Sequence, residues 1–292
     1  MTTGSALSAH RLIERGASEL RQAGVPDARF EAELLLRHAL GCSREALFAG
    51  LHEPAGGEAA GHYFHLVERR RGRVPIQHIL GSQEFYGLSF RVTPAVLIPR
   101  PETEGVVDEA LAELSTRSAS APAIADVGCG SGCIAIAIAR ERPEARLLAT
   151  DASPAALAVA RENAFAHAVE ERITFLHGDL LDPLVERGEK KLDLVVSNPP
   201  YVVDAEIFDL APEVKEHEPR MALAGGADGL VTITRLLEGV GAVLTDAGVV
   251  VMEIGKGQDR QVAERVHAAG LDLLRFVPDL AGIPRVVVAR KS

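Results

Sequence analysis

The sequence predicts an α/β protein, a mostly parallel sheet covered by helices on both faces, behind a small N-terminal helical domain. Three observations predict it. Apolar residues recur at helical spacing, with few strand signals, up to about residue 84. From residue 123 onward, short apolar runs alternate with helical patterns, the signature of βαβ units. The runs themselves, such as "GVVVMEI" at 248–254, are nearly continuous in apolar residues, as a strand buried on both faces requires.

In the front domain, residues 1–84, read as a helical recognition domain, helices are expected over Leu7–Leu20, over Phe30–Leu40 with Gly41 as C-cap, over Ala46–Leu51 behind the N-cap Ser43, and over His62–Val67. Residues 85–104 carry the β-rich pieces "FYGLSFRV" and "AVLIP" and read as a β-hairpin linker. Residues 105–292 form the α/β domain. Strands are expected at Ala123–Val127, Arg146–Thr150, Ile173–His177, Leu192–Ser197, Gly248–Ile254, Leu271–Pro278 and Arg285–Ala289, the last two antiparallel at the sheet's end. Helices are expected at Ile134–Arg140, Pro154–Ala166, Gly229–Leu244 and Gln258–Ala269. The one low-complexity passage, Ser115–Ala121, reads as a loop before the first strand.

Composition narrows the function. The chain has 292 residues, 47% apolar and 25% charged, the profile of a soluble globular protein with a real core. A net charge of −10 argues against affinity built by spreading cations along phosphates, so no direct nucleic-acid binding is expected. The basic run Arg69–Arg73 reads as a solvated helix end. Three cysteines without paired spacing point to a reducing compartment, and neither a signal segment nor a membrane-length apolar run is seen, so a cytoplasmic protein without membrane contact is expected. Cys129 and Cys133, like His62 and His65, lack a second ligand pair and are read as ordinary packing or surface residues, with no metal site.

Chemistry concentrates after the first strand. In "ADVGCGSGCIAIAIA" (125–139) a strand ends at Asp126, and Gly128, Cys129, Gly130, Ser131 and Gly132 make a loop opening straight into a helix. Glycines allow a ligand close to the backbone, and the helix start offers unpaired N–H groups. The GxGxG spacing differs from the dinucleotide fingerprint and lacks the Lys of a phosphate loop. Asp151 ends the next strand, where α/β nucleotide folds place a carboxylate for ribose hydroxyls. Asp179 with Leu180 follows the third strand, so the set suits a nucleoside lying across three strand ends. After the fourth strand comes "SNPPY": Asn198, Pro199, Pro200 and Tyr201. Prolines there stiffen the loop and carry a carbonyl acceptor but no N–H.

"DVGCGSG", "ATD", "GD" and "NPPY", in this order, resemble the class I S-adenosylmethionine-dependent methyltransferases with a Rossmann-like sheet, in the branch that methylates amino groups. Further stretches, "VPIQHILG", "EFYGLSF", "VLIPRPETE", "HEPRMALAGGADGL", "MEIGKGQ" and "DLAGIPRVV", resemble the HemK/PrmC family of protein-(glutamine-N5) methyltransferases over nearly the whole chain. The resemblance implies methyl transfer from S-adenosyl-L-methionine, leaving S-adenosyl-L-homocysteine, to the glutamine of the Gly-Gly-Gln loop in class I peptide chain release factors. It implies that Asn198 and the Pro199 carbonyl accept the two amide N–H bonds, with Pro200 beside them and Tyr201 against the amide plane. It also implies that the glycine loop passes the methionyl part, Asp126 orients its ammonium, Asp151 takes the ribose, and Asp179 and Leu180 border the adenine. Leu97, and the Phe85/Tyr86 pair, are read as core-packing residues by default, with an apolar wall of the glutamine pocket as the alternative. Arg100 is read as bracing the substrate loop, pairing with Glu102 or Glu104, or serving a structural interdomain role, whereas "HEPRMALAGG" is read as shaping a loop near the active site, with no chemistry for Glu218 and Arg220. The helical front domain is read as the contact surface that recognises the protein substrate.

Three other readings remain open at this level. A sister enzyme acting on a ribosomal-protein glutamine shares the motifs. An adenine-amino DNA or RNA methyltransferase shares "NPPY", because an exocyclic amine offers the same two hydrogens, but it needs a basic target-recognition region. A non-catalytic S-adenosylmethionine-binding module would have no use for the nucleophile clamp.

Overall fold

Helix α1 (Ala9–Gln22) starts where Ser8 accepts a hydrogen bond from the Arg11 N–H, and α2 (Ala28–Leu40) closes on Gly41 at a left-handed φ of 60°. The Ser43 side chain caps α3 (Arg44–Ala49), and α4 (Gly57–Arg71) and α5 (Ile76–Leu80) follow. Their apolar stripes meet in one core around Leu12, Leu20, Leu36, Tyr63 and Val67. At five residues α5 is too short for periodicity to reveal. The structure, a computed structural model, describes residues 7–116 and 121–292. It divides into two units: residues up to Gly81 together with Ala211–His217, and Ser82–Leu210 together with Glu218–Ser292.

The helical unit corrects one expectation. Arg70 is only 4% exposed, not solvated; it meets Glu31 at 2.5 Å and Glu213 at 2.8 Å. Arg73 reaches the other Glu213 oxygen at 2.7 Å and donates to the Ala23 and Gly24 carbonyls. A guanidinium leaves water only where carboxylates meet it. Glu31 lies 39 residues from Arg70, and Glu213 lies 140 residues from Arg73, beyond any spacing rule. Arg69 and Arg71 are exposed, as a solvated helix end would have them.

The second unit opens with a hairpin, β1 (Ser82–Phe85) and β2 (Leu88–Arg91), which begins three residues before the expected linker and pairs within 82–91, while "AVLIP" (95–99) forms no strand. Its two-residue turn puts Tyr86 and Gly87 at φ 53° and 68°. A short 3-10 turn, Pro101–Thr103, leads into α6 (Glu104–Ser115). Then come β3 (Ala123–Val127), α7 (Cys133–Glu141), β4 (Arg146–Asp151), α8 (Pro154–Ala166), β5 (Ile173–His177), α9 (Asp182–Glu186) and β6 (Leu192–Ser197). After α10 (Pro212–His217), which belongs to the helical unit, follow α11 (Val231–Val240), β7 (Leu244–Glu253), α12 (Asp259–Ala268), β8 (Leu271–Pro278) and β9 (Pro284–Lys291). The loop expected at 115–121 falls mostly on residues 117–120, outside the described residues.

The sheet runs β5-β4-β3-β6-β7-β9-β8, parallel throughout β5 to β7, with β9 antiparallel to both its neighbours. Alternate residues of one strand feed opposite layers: Val249 and Val251 pack with α6, α7 and α8, whereas Val250 and Met252 pack with α11 and α12. That double burial is why the strands read as unbroken apolar runs. Helix α11 is shorter than the pattern 229–244 suggested, because Gly229 at φ 75° cannot be helical, and Leu244 already pairs with Leu192. The strand order reverses between β3 and β6, which hydrogen-bond side by side with Val127 opposite Ser197. Ligands of such sheets bind at this point, outside the carboxyl ends of the strands. The glycine loop and Asn198 follow these two strands directly.

Candidate active site

Gly128, Gly130 and Gly132 take φ of 74°, 55° and 79°, values that a Cβ would strain. The N–H groups of Gly128 and Cys129 share the Thr150 carbonyl at 2.9 Å, and Gly130 N–H donates to Asp151 Oδ2 at 2.9 Å. A Cβ on Gly128 or Gly130 would meet nothing within 4 Å, so the loop presents bare backbone to open space. Asp151 holds the Ser153 N–H with its other oxygen. It thus braces the loop and opens the turn into α8, and each oxygen keeps a lone pair for a ligand.

Asp126 lies beneath this loop, wholly buried. Its Oδ2 accepts from the Ala135 N–H at 3.1 Å in the first turn of α7, while Oδ1 has no partner. Burial pushes the carboxyl up to about 7, with a smaller push from Asp151. Burial likewise raises the Cys129 and Cys133 thiols, which suits small apolar packing residues. On the far side Leu180 sits at φ 47°, uncommon for a branched side chain, and its carbonyl accepts from Thr150 Oγ1 at 2.8 Å. Asp179 is exposed and pairs with Arg235 at 2.6 Å.

Across the switch point, Asn198 Nδ2 donates to Thr103 Oγ1 at 3.0 Å. The Thr103 hydroxyl donates in turn to Glu253 Oε2 at 2.6 Å, and Tyr201 Oη–H donates to Glu253 Oε1 at 2.9 Å. Glu253 ends β7 at 1% exposure, and burial raises its pKa. Gln258 Nε2 holds the Tyr201 carbonyl at 3.0 Å while its Oε1 accepts from the Gly255 N–H. Tyr201 is therefore gripped at both ends. The loop beyond is paired too: Val202 N–H donates to the Leu223 carbonyl and Gly225 N–H to the Val202 carbonyl. Gly229 is required beside it, since an added Cβ would lie 2.6 Å from the Tyr201 carbonyl.

Arg100 pairs neither with Glu102 nor with Glu104. Its Nη2 meets Glu218 Oε1 at 2.5 Å, and the other Glu218 oxygen accepts from the Ile98 N–H at 3.2 Å. The carboxylate, 1% exposed, ties the 97–100 stretch to the 218–222 stretch, giving Glu218 a part that the sequence did not suggest.

One cleft collects most of the expected residues: Leu97, Gly128, Cys129, Gly130, Ser131, Asp151, Asp179, Leu180, Asn198 and Pro200. Thr103, Ile134 and Arg235 join them unpredicted, and Met221 comes from the "HEPRMALAGG" stretch expected near the site. Asp126, Gly132, Pro199, Arg100 and Tyr201 are not among the residues lining it. Phe85 and Tyr86 lie elsewhere, Phe85 in the core against Phe90 and Tyr86 with its hydroxyl on Asp108.

Two family models match the chain, the PrmC N-terminal domain over residues 11–81 and the methyltransferase small domain over residues 106–237. A release factor glutamine methyltransferase of Geobacter sulfurreducens is 42% identical over 271 residues, 93% of this chain and 92% of its own. The chain belongs to the release factor glutamine methyltransferase family. Another member, from Moorella thermoacetica, is 42% identical over 284 residues, covering 97% of this chain and 98% of its own. Among solved structures, a methyltransferase from Pyrococcus furiosus shares the fold at a TM-score of 0.51 and 16% identity, over 71% of this chain and 91% of that one. The N-terminal domain of human METTL16, solved with SAH, does so at 0.51 and 17%, over 71% and 77%. The sheet is that of the class I methyltransferases, carried by a family with its own helical front domain. No helix among the described residues is long and apolar enough to cross a membrane.

Proposed function

We propose that this protein transfers a methyl group from S-adenosyl-L-methionine to the side-chain amide nitrogen of the glutamine in the Gly-Gly-Gln motif of class I peptide chain release factors, in the cytoplasm. The observation that carries the reading is the orientation of Asn198. Its NH2 is engaged by Thr103, so Oδ1 is the end left to accept a hydrogen bond in the cleft at the switch point. Family membership supports the release factor as the protein that brings the glutamine.

The chemistry follows from the residues. An amide nitrogen is a weak nucleophile because its lone pair is shared with the carbonyl. Asn198 Oδ1 and the Pro199 carbonyl accept its two hydrogens and hold it in line, a contribution of several kcal/mol to the barrier. Leu97 and Pro200 wall the pocket. On the cofactor side, Gly128, Cys129, Gly130, Ser131 and Gly132 pass the methionyl part, and the unpaired Asp126 Oδ1 attracts its ammonium through the loop. Asp151 takes the ribose hydroxyls, and Asp179 and Leu180 border the adenine. Bound there, S-adenosylmethionine supplies an electrophilic methyl group. The methylated nitrogen is cationic and strongly acidic, so water removes its proton and no side-chain base is needed. Loop-forming Tyr201 acts through its two anchors, Glu253 and Gln258.

Incubation with labelled S-adenosylmethionine and, separately, release factors, ribosomal protein and DNA tests the reading. Label is expected in the release factor glutamine; label confined to ribosomal protein or DNA overturns it. Asn198→Ala is expected to lower kcat by about 1000-fold with cofactor affinity kept, the scale of losing an aligned hydrogen-bonding group in a transition state.

A further inference from the structure

We infer that Thr103 and Glu253 are positioning residues that fix which end of the Asn198 amide faces the substrate, and that they thereby make the site select a carboxamide over a carboxylate. The inference rests on the reading of Asn198 as the amide clamp and goes further, to what gives the clamp its polarity.

An asparagine side chain has an acceptor end and a donor end of nearly the same shape, so its packing alone cannot say which end points outward. The hydrogen-bond chain can. A threonine hydroxyl has one hydrogen, and that of Thr103 is directed at Glu253 Oε2, 2.6 Å away. Only lone pairs remain on Oγ1 toward Asn198, 3.0 Å away, and only the NH2 end can answer a lone pair. The direction is set at the far end of the chain by Glu253. Hydroxyls of Thr103 and Tyr201 are directed at both of its oxygens, so at 1% exposure it accepts at each end. Burial raises its pKa, and it is the ionised form that sets the direction, since only a protonated carboxyl donates back. Charge at the end of β7 is thus relayed through the turn before α6 to the first residue after β6. Every link points one way, and it leaves Asn198 Oδ1 outward.

The consequence concerns specificity. A glutamine offers two N–H donors to that oxygen and to the Pro199 carbonyl. A glutamate of the same shape, such as deamidation of the target would produce, brings oxygen lone pairs against both. Sites built to hydrogen-bond a donor reject the analogue that lacks it, because buried acceptors are left unpaired. Were Glu253 able to donate, Thr103 could turn its hydrogen to Asn198, the amide could reverse, and its NH2 would welcome a carboxylate.

The test uses full-length release factor carrying either Gly-Gly-Gln as substrate or Gly-Gly-Glu as competitive inhibitor. Glu253→Gln, which keeps the shape and adds a donor, is expected to lower kcat/KM at least about tenfold and to tighten inhibition by the Gly-Gly-Glu factor about tenfold, with S-adenosylmethionine affinity unchanged. Thr103→Val is expected to lose activity and selectivity in the same way, and Thr103→Ser to restore most of both. A purely structural role would cost activity without any gain for the glutamate competitor. A folded Glu253→Gln protein with wild-type selectivity overturns the inference. Should that variant not fold, wild-type selectivity in Thr103→Val, or no recovery in Thr103→Ser, does so. Asn198→Ala run beside them separates the two readings: turnover there removes the clamp itself, whereas an inactive Asn198→Ala with unaltered selectivity in the other variants removes only the relay.

Discussion

Around the glycine loop the fixings are short in sequence and mostly main chain: two N–H groups on the Thr150 carbonyl, and one on a carboxylate 21 residues away. The Asn-Pro-Pro-Tyr rim opposite is held by side chains alone at its key residues, Glu253 and Gln258 on Tyr201 across 52 and 57 residues and Thr103 on Asn198 across 95. The first rim is complete once β3 and β4 pair. The second is complete only when the start of α6 and the end of β7 have both docked. Backbone fixings tolerate change in neighbouring side chains, whereas side-chain fixings each depend on one residue, so lesions on the two rims should separate into cofactor affinity and turnover.

The largest expected effect lies under the glycine rim. Asp126 has its pKa raised from 3.8 to about 7 by burial. A raised carboxyl favours the folded state while it can stay protonated, so its contribution is full below about pH 4 and is lost as pH rises to about 7, of the order of 4 kcal/mol in all. Asp126→Asn, neutral throughout and still able to accept from Ala135, should flatten the fall of Tm between pH 4 and pH 7 in cofactor-free protein and weaken S-adenosylmethionine binding. An unchanged pH slope in thermal unfolding would show that Asp126 does not carry this cost.

A smaller effect should follow on the opposite rim. Gln258→Ala leaves the Gly255 N–H and the Tyr201 and Gly229 carbonyls without that side chain, at a cost of about 2 kcal/mol. Stopped turnover assays should then give a kcat lowered about tenfold with cofactor affinity intact. A variant that loses cofactor affinity instead would erase the distinction between the rims. The smallest effect belongs to Arg235→Ala. Its pair with Asp179 is half exposed on both sides, so stability should change by less than about 0.5 kcal/mol, and cofactor affinity only slightly, by calorimetry at physiological salt.

The same difference governs what could be read from the sequence. Strands β3 and β6 fall where the pattern puts them because burial on both faces leaves continuous apolar runs, and the partly exposed β5, β8 and helix α8 fall there too, on their apolar residues and turn signals. The glycine loop and the order of Asp126, Asp151 and Asp179 were legible because their spacing is local. Thr103, Glu253 and Gln258 stood inside "PRPETE" and "MEIGKGQ" without a role, since nothing in a linear spacing brings residues 103, 198 and 253 together. Arg100 was expected beside an acid, and the acid is Glu218, 118 residues away rather than two or four. Tyr201, expected against the substrate, has its hydroxyl on Glu253, a buried acceptor that only the folded sheet supplies.

One feature of the helical unit bears on how this architecture can be taken apart. Its sixth helix, Pro212–His217, is encoded downstream of the Asn-Pro-Pro-Tyr loop, and Glu213 is held there by Arg70 and Arg73. Burial alone would raise the Glu213 carboxyl, yet Arg73, a backbone N–H and Arg70 together bring it down to about 2. The front domain is thus not a cassette that gene fusion could exchange at a single seam. A graft of residues 1–81 from a relative inherits this chain's Glu213 as its counterion, so chimeras must carry both segments or match the charges across them.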